Sequence, residues 1–238
     1  MNRVALTRLL QLSSQALPIG GYSHSQGLES AIERGVIRDE AALQRWILDC
    51  LEYCMGSFEI PCLLSMAAAW RAHDGSLAAS LNDDYLATRE SAELRSATVQ
   101  MGHSLRALLT VLPDLPVEML DQLCALENPS LPCAWSAAAS AWGIAPADAA
   151  VGYLWAWGEN QVLAAMKTLP LGQSAGQRVL LELGPRIARL AEAATASAAR
   201  AESAVGIESA ERPWSNFAPA LAILSSQHET QYSRLFRS

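Results

Sequence analysis

No stretch of this chain alternates apolar and polar residues for long enough to make a useful strand, and that constrains the fold more than any other feature. Apolar side chains return instead at intervals of three and four, between short runs of capping and turn residues. Residues 4–12 carry Val4, Leu6, Leu9, Leu10 and Leu12 at near-helical spacing. Asp39 suits the N-cap of a helix with Leu43, Trp46, Ile47, Leu51 and Cys54 on one face, ending at Gly56. Residues 58–70 read as another helix, with Pro61 tolerable in its first turn. Thr88 is placed to cap a long helix through Leu112, stopped by Pro113, and residues 117–126 and 132–142 follow as two more. Pro146 opens a helix that runs to Leu169. Ser174 and Gln177 form a capping-box pattern, residues 185–202 are amphipathic, and residues 206–219 read as a loop. The expectation is an all-α fold of around ten helices, one compact domain over residues 1–226 followed by a docking tail at 227–238 that a partner puts in order.

Residues 16–29 break the pattern. Pro18, Gly20, Gly21 and Gly27 surround Tyr22, Ser23, His24 and Ser25. Pro18, Gly20 and Gly21 predict a tight turn. Ser23 and Gln26 have capping-box spacing, which predicts a helix from there to Gly35. Tyr22 and His24 are left to face another protein surface or the chain's own tail.

Of 238 residues, 51% are hydrophobic and 17% charged, so there is ample material for a core and some left for contacts. A net charge of −7 without a basic cluster argues against nucleic acid. The most apolar long segment, residues 149–169, carries Glu159, Asn160, Gln161 and Lys167, which argues against a membrane span. Five cysteines without a C-x-x-C pair favour free thiols in a reducing compartment. Cys50 and Cys54 share a helix face, with Cys62 and His73 beyond, so a thiolate–imidazole site for zinc or nickel is conceivable; core packing is the commoner fate of such cysteines. Ser23, His24 and Ser25 place hydroxyls beside an imidazole, but no G-x-S-x-G elbow is present. A helical metal carrier using Cys50, Cys54 and Cys62, or a small enzyme using Ser23 and His24, is therefore the alternative to a protein with no catalytic, cofactor or metal site of its own. The phosphate-loop motif is absent, so any nucleotide chemistry falls to another chain. At the far end Tyr232, Leu235 and Phe236 share a helical face, and Gln231, Arg234 and Arg237 form a second row. A helix this short needs its own domain or a partner to hold it, and aromatic and arginine side chains are common interface anchors.

Four blocks together resemble a known family. Residues 9–29, Arg89 to Leu94 with Met101 and Gly102 after them, residues 160–183 with Pro170 to Gln173 and Gly176 to Arg178, and residues 228–238 are similar, in that order, to the signatures of the urease accessory protein UreF family. Arg3 and Arg8, with no acidic residue before Glu29, share features with a transit peptide; the family-like block starting at Leu9 makes the segment mature protein. The run Ser130 to Trp135 departs from the family pattern, which puts local packing in question. The resemblance implies an all-α, cytoplasmic, non-catalytic assembly factor. It implies a homodimer that bridges UreD (UreH) and the GTPase UreG during nickel delivery to apo-urease and bears on GTP hydrolysis by UreG. It makes Tyr22 and Arg234 contact or tail-ordering residues and Lys167 a contact for UreG. Arg234 and Arg237 are the candidates for a guanidinium supplied to UreG's nucleotide.

Overall fold

The computed structural model describes residues 2–112, 114–203 and 214–238. Among them every regular element is helical: α1 (Arg3–Leu12), α2 (Leu28–Glu33), α3 (Glu40–Cys50), α4 (Ile60–Arg71), α5 (Gly75–Ala87), α6 (Ala92–Val111), α7 (Val117–Ala125), α8 (Leu131–Ala141), α9 (Pro146–Thr168), α10 (Gln173–Ser203) and α11 (Pro219–His228). A 3₁₀ turn, Gly21–Ser23, precedes α2, and a π-helical segment, Leu51–Glu59, joins α3 to α4. Pro113, expected to stop α6, and residues 206–213 of the expected loop lie outside the described residues.

The centre is α8. Pro132 to Ala139 are all buried, so this helix is enclosed on every side, with α4 and α6 against it. Small residues permit that approach, Trp135 packs edge-to-face on Tyr153, and the Trp70 indole N–H donates to the Cys133 carbonyl at 3.3 Å. The departure at residues 130–135 is accommodated rather than disruptive. Ser130 caps α8, its own N–H reaches Asn82 Oδ1 at 2.8 Å, and the Leu131 N–H reaches Thr98 Oγ1 at 3.1 Å. Gly102 on α6 makes the approach possible, since a Cβ there would stand 2.0 Å from the Pro129 carbonyl oxygen.

Several boundaries fall where local chemistry put them. Asp39 caps α3 by accepting from the Ala42 N–H at 2.8 Å, Pro61 lies in the first turn of α4, and Pro146 opens α9. Others moved. The chain does not stop at Gly56: Leu51, Met55 and Phe58 are buried, and the backbone continues through the π segment into α4 to keep them there. Thr88 ends α5 instead of capping α6; Ser91 is the cap, accepting from the Leu94 N–H at 3.1 Å. α10 starts at Gln173, one residue before the serine expected to cap it, and runs straight through Pro185. An interior proline costs a helix ~3 kcal/mol. Pro185 is exposed, while Val179, Leu180, Leu183, Ile187, Leu190, Ala191 and Ala194 form one buried stripe, with α9 as the main neighbour. That burial outweighs the break.

Candidate interaction site: a clasp around the C-terminal segment

The helix expected for Tyr232, Leu235 and Phe236 does not form. α11 ends at His228, and residues 229–238 leave it as turns and extended chain packed on their own domain. The order of this tail comes from two sets of bonds.

The first set is built on residues 23–26. Ser23 and Gln26 make no capping box. The Ser23 hydroxyl donates to the Gly20 carbonyl at 2.7 Å, and α2 begins only after Gln26 (φ 52°) and Gly27 (φ 85°). For Gln26 the left-handed conformation costs roughly 1–2 kcal/mol. It is held by the Trp157 indole N–H, 2.6 Å from Gln26 Oε1, and by its own N–H, which donates to the main-chain oxygen of Ser238 at 3.0 Å. Gly27 takes its conformation without that cost. The Ser25 N–H and hydroxyl donate to the same Ser238 oxygen, the hydroxyl at 2.8 Å. The Arg237 N–H donates to the Ser23 carbonyl at 2.8 Å. From the other side, α9 fixes this loop through Asn160 and Gln161, whose amide nitrogens reach the His24 and Ser25 carbonyls at 2.9 and 3.2 Å.

The second set is ionic and buried. His228 is fully buried, with Nε2 2.9 Å from Glu29 Oε2 and Nδ1 2.7 Å from Glu93 Oε2. Both ring nitrogens face carboxylate oxygens, so the ring bridges Glu29 and Glu93. Glu29 also accepts from the N–H groups of Leu235 (2.7 Å) and Phe236 (3.0 Å), and Glu93 from Arg234 Nη1 (2.9 Å). Glu29 on α2, Glu93 on α6 and His228 on α11 thus lock three helices to the tail. Sequence reasoning missed Glu29 and Glu93. Each sits in the first turn of its helix, but nothing in a linear pattern pairs residues separated by 199 and 135 positions.

The residues expected to meet a partner divide accordingly. His24 is only 3% exposed, so it is not a surface contact in this conformation; its Nδ1 lies 2.7 Å from Ser238 Oγ. Burial, aided by the Arg237 cation, pushes its pKa down to about 4, so it is neutral at pH 7. Phe236 is likewise buried, as the anchor of the tail. Lys167 Nζ lies 5.8 Å from the Tyr22 ring centroid and 5.6 Å from that of Phe236, bringing these three together. Tyr22 is half in the open, Leu235 is 61% exposed and Tyr232 wholly exposed. Arg234 is tied to Glu93, whereas the Arg237 side chain is exposed.

The nucleophile and metal readings find no assembled site. Neither hydroxyl of Ser23 or Ser25 is hydrogen-bonded to the His24 ring. Among the described residues no three His, Cys, Asp or Glu side chains are grouped to hold a metal ion, so Cys50, Cys54 and Cys62 do not form a ligand set. Among the same residues no helix is long and apolar enough to cross a membrane.

Fold and site together define a helical protein whose most developed polar machinery holds a segment of its own chain in place and leaves aromatic side chains uncovered beside it. A UreF family profile matches residues 37–184. Proteins called urease accessory protein UreF from Azoarcus sp. strain BH72 and Dechloromonas aromatica strain RCB are 53% and 49% identical to this chain, covering 98% of it and 95% and 97% of their own lengths. One from Janthinobacterium sp. strain Marseille is 43% identical over all of both chains. The chain belongs to the UreF family of urease accessory proteins.

Proposed function

We propose that this chain is a non-catalytic scaffold in urease maturation, working in the cytoplasm as a homodimer. It bridges UreD (UreH) and the GTPase UreG for nickel insertion into apo-urease. The observation that carries the reading is the clasped tail. It is held through Phe236, Glu29 and Glu93, with Phe236 beside Lys167, yet turns Tyr232 and Leu235 to solvent. A preordered aromatic and aliphatic surface binds with little loss of freedom on docking. Its names for partners come from the family; the face itself is the part of the molecule best suited to receive them.

The test is co-purification with UreD after Tyr232→Ala with Leu235→Ala. Both side chains are exposed, so folding is retained and capture is expected to fall at least tenfold. Capture at the wild-type level would overturn the assignment of this face. An effect on GTP hydrolysis by UreG belongs to the same proposal, and Arg237 is the better probe of it. Arg234→Ala would loosen the tail by freeing Glu93, whereas Arg237→Ala leaves the tail's main-chain bonds in place. A change in GTP turnover with Arg237→Ala, complex formation being intact, supports a direct part for that guanidinium.

A further inference from the structure

A second buried polar region adjoins the clasp, sharing Gln26, Trp157, Asn160 and Gln161 with it. A cavity of about 110 Å³ is walled by the π segment, α6, α8, α9 and residues 12–26. Glu59, Arg89, Trp135, Cys50 and Cys54 line it. Arg89 Nη1 lies 3.3 Å from Glu59 Oε2, its guanidinium stands 4.3 Å over the Tyr85 ring, and Glu59 accepts a short hydrogen bond from the Tyr153 hydroxyl. Unlike the clasp, this cluster is incompletely satisfied. The Arg89 side chain is 9% exposed, and its Nε–H is without a hydrogen-bond partner, as is the Trp135 indole N–H. Both are donors on the wall of one cavity, with two sulfurs on the same wall.

The two thiols differ. Cys50 ends α3 and is buried; Cys54, one helical turn on in the π segment, is partly exposed. Both side chains line the cavity, four residues apart in the chain. The neighbouring Cys54 thiol and burial push the Cys50 thiol well up, so it keeps its proton. The Cys50 thiol in turn holds Cys54 below the ordinary thiol value against burial and the Glu59 and Glu90 carboxylates, with the Arg89 cation assisting. One acidic, reachable sulfur beside one protonated, buried sulfur is the arrangement of an attacking thiol with a resolving partner.

We propose that Cys54 and Cys50 form a redox-reactive thiol pair that takes small hydroperoxides through this cavity. The Cys54 thiolate attacks the terminal peroxide oxygen; an S–O bond forms as the O–O bond breaks, and the departing oxygen takes a proton from solvent and leaves as water or alcohol. The Arg89 Nε–H is the donor available to that oxygen. Cys50 sulfur then attacks Cys54 sulfur; the S–S bond forms, the S–O bond breaks, and the hydroxyl leaves as water with the Cys50 proton. Two thiols lose two electrons and the peroxide gains them. Residues four apart on a helix have Cβ atoms about 5–6 Å apart, and a disulfide needs about 3.5–4.5 Å. The turn must therefore tighten by roughly 1–2 Å, and a π segment, with its wide i→i+5 spacing, is where a helix can do so.

The test treats the full chain with hydrogen peroxide, with and without dimedone, and maps modified peptides by mass spectrometry. The exposed Cys124 is the internal reference. Cys54 is expected to oxidise about threefold or more faster than Cys124 at pH 7, ending as a Cys50–Cys54 disulfide. Cys50→Ser should trap Cys54 as its dimedone adduct, and Cys54→Ser should leave Cys50 unmodified. Oxidation confined to Cys124, or a Cys54 rate no greater than that of Cys124, would overturn the proposal. The rate comparison uses the unsubstituted protein, so an unfolded variant cannot obscure it.

Discussion

Among the described residues two buried ionic clusters can be compared, and they are built differently. In the clasp, Glu29 receives His228 Nε2 and two tail N–H groups while Glu93 receives His228 Nδ1 and Arg234. Donors and acceptors match across segments far apart in sequence. Around Arg89, the guanidinium, Glu59 and Tyr153 match one another, but the Arg89 Nε–H and a neighbouring indole N–H are left over. A buried polar group without a partner costs about 1–3 kcal/mol. The comparison teaches that the filled network is where the chain fixes its own shape, and the part-filled one is where something small can enter.

The largest effect should come from breaking the filled network. Glu29→Ala removes the acceptor of His228 and of two tail amides and should cost about 3–5 kcal/mol. Denaturant unfolding measures the loss, and hydrogen exchange at Leu235 and Phe236 locates it. A loss below about 1 kcal/mol would show that the clasp contributes little beyond packing. Replacing both partners, Glu29→Leu with His228→Leu, should not recover the stability, because the two tail N–H groups remain without an acceptor.

The second cluster should answer differently. Arg89→Met leaves Glu59 buried with only Tyr153 and should cost about 3 kcal/mol. Adding Glu59→Leu should restore at least half of that, since an apolar pair of similar volume can replace a buried ion pair. A double variant that adds no recovery would mean the two clusters do not differ in kind. The contrast between the two double substitutions is the sharpest form of the comparison.

Acid should loosen one edge of the clasp. His24 has a folded pKa of about 4 against 6.5 for the free side chain. The unfolded or undocked state therefore binds more protons between those values, and stability rises with pH across that window. The contribution is fully present above pH 6.5 and is lost as pH falls towards 4. Exchange protection of residues 236–238 should drop by up to tenfold per pH unit within the window. His24→Gln should flatten that component. Protection independent of pH in both proteins would remove His24 from the docking equilibrium.

These tests bear on how much the sequence could disclose. The helices were legible because each short signal acts locally: Asp39 caps, Pro61 and Pro146 sit in first turns, and apolar spacing marks the buried stripes. The failures lie where tertiary packing overrules a local signal. Pro185 is carried inside α10 by its buried stripe, Gly56 is passed over, and the Ser23–Gln26 pattern yields to bonds with Trp157 and Ser238. The grouping at the tail was not legible: Lys167 stands beside the Tyr22 and Phe236 rings and Arg234 pairs with Glu93, and no linear spacing brings these residues together. For His24 the residues left open a partner surface or the chain's own tail, and for Phe236 a partner or its own domain; both are inside, and His24 meets the tail residue Ser238, more than two hundred positions away. Glu29 and Glu93 look like ordinary first-turn acids until His228 is placed between them.

The smallest effect on stability should accompany a large effect on assembly, and Tyr232 is where the two separate. Its side chain is wholly exposed, so Tyr232→Ala should change stability by no more than about 0.5 kcal/mol. A residue that the fold does not use, held out by a tail fixed at Glu29, Glu93 and Phe236, can contribute only through something that covers it. If the tail face meets a partner, an exposed aromatic at its tip is where binding energy concentrates, at about 2 kcal/mol or more. Capture by UreD should then fall at least tenfold with the unfolding midpoint unmoved. Glu29→Ala should lose both together. Equal losses of stability and capture in the two variants would reduce the tail to a part of the core, whereas separation of the two readouts assigns the clasp to order and the exposed tip to recognition.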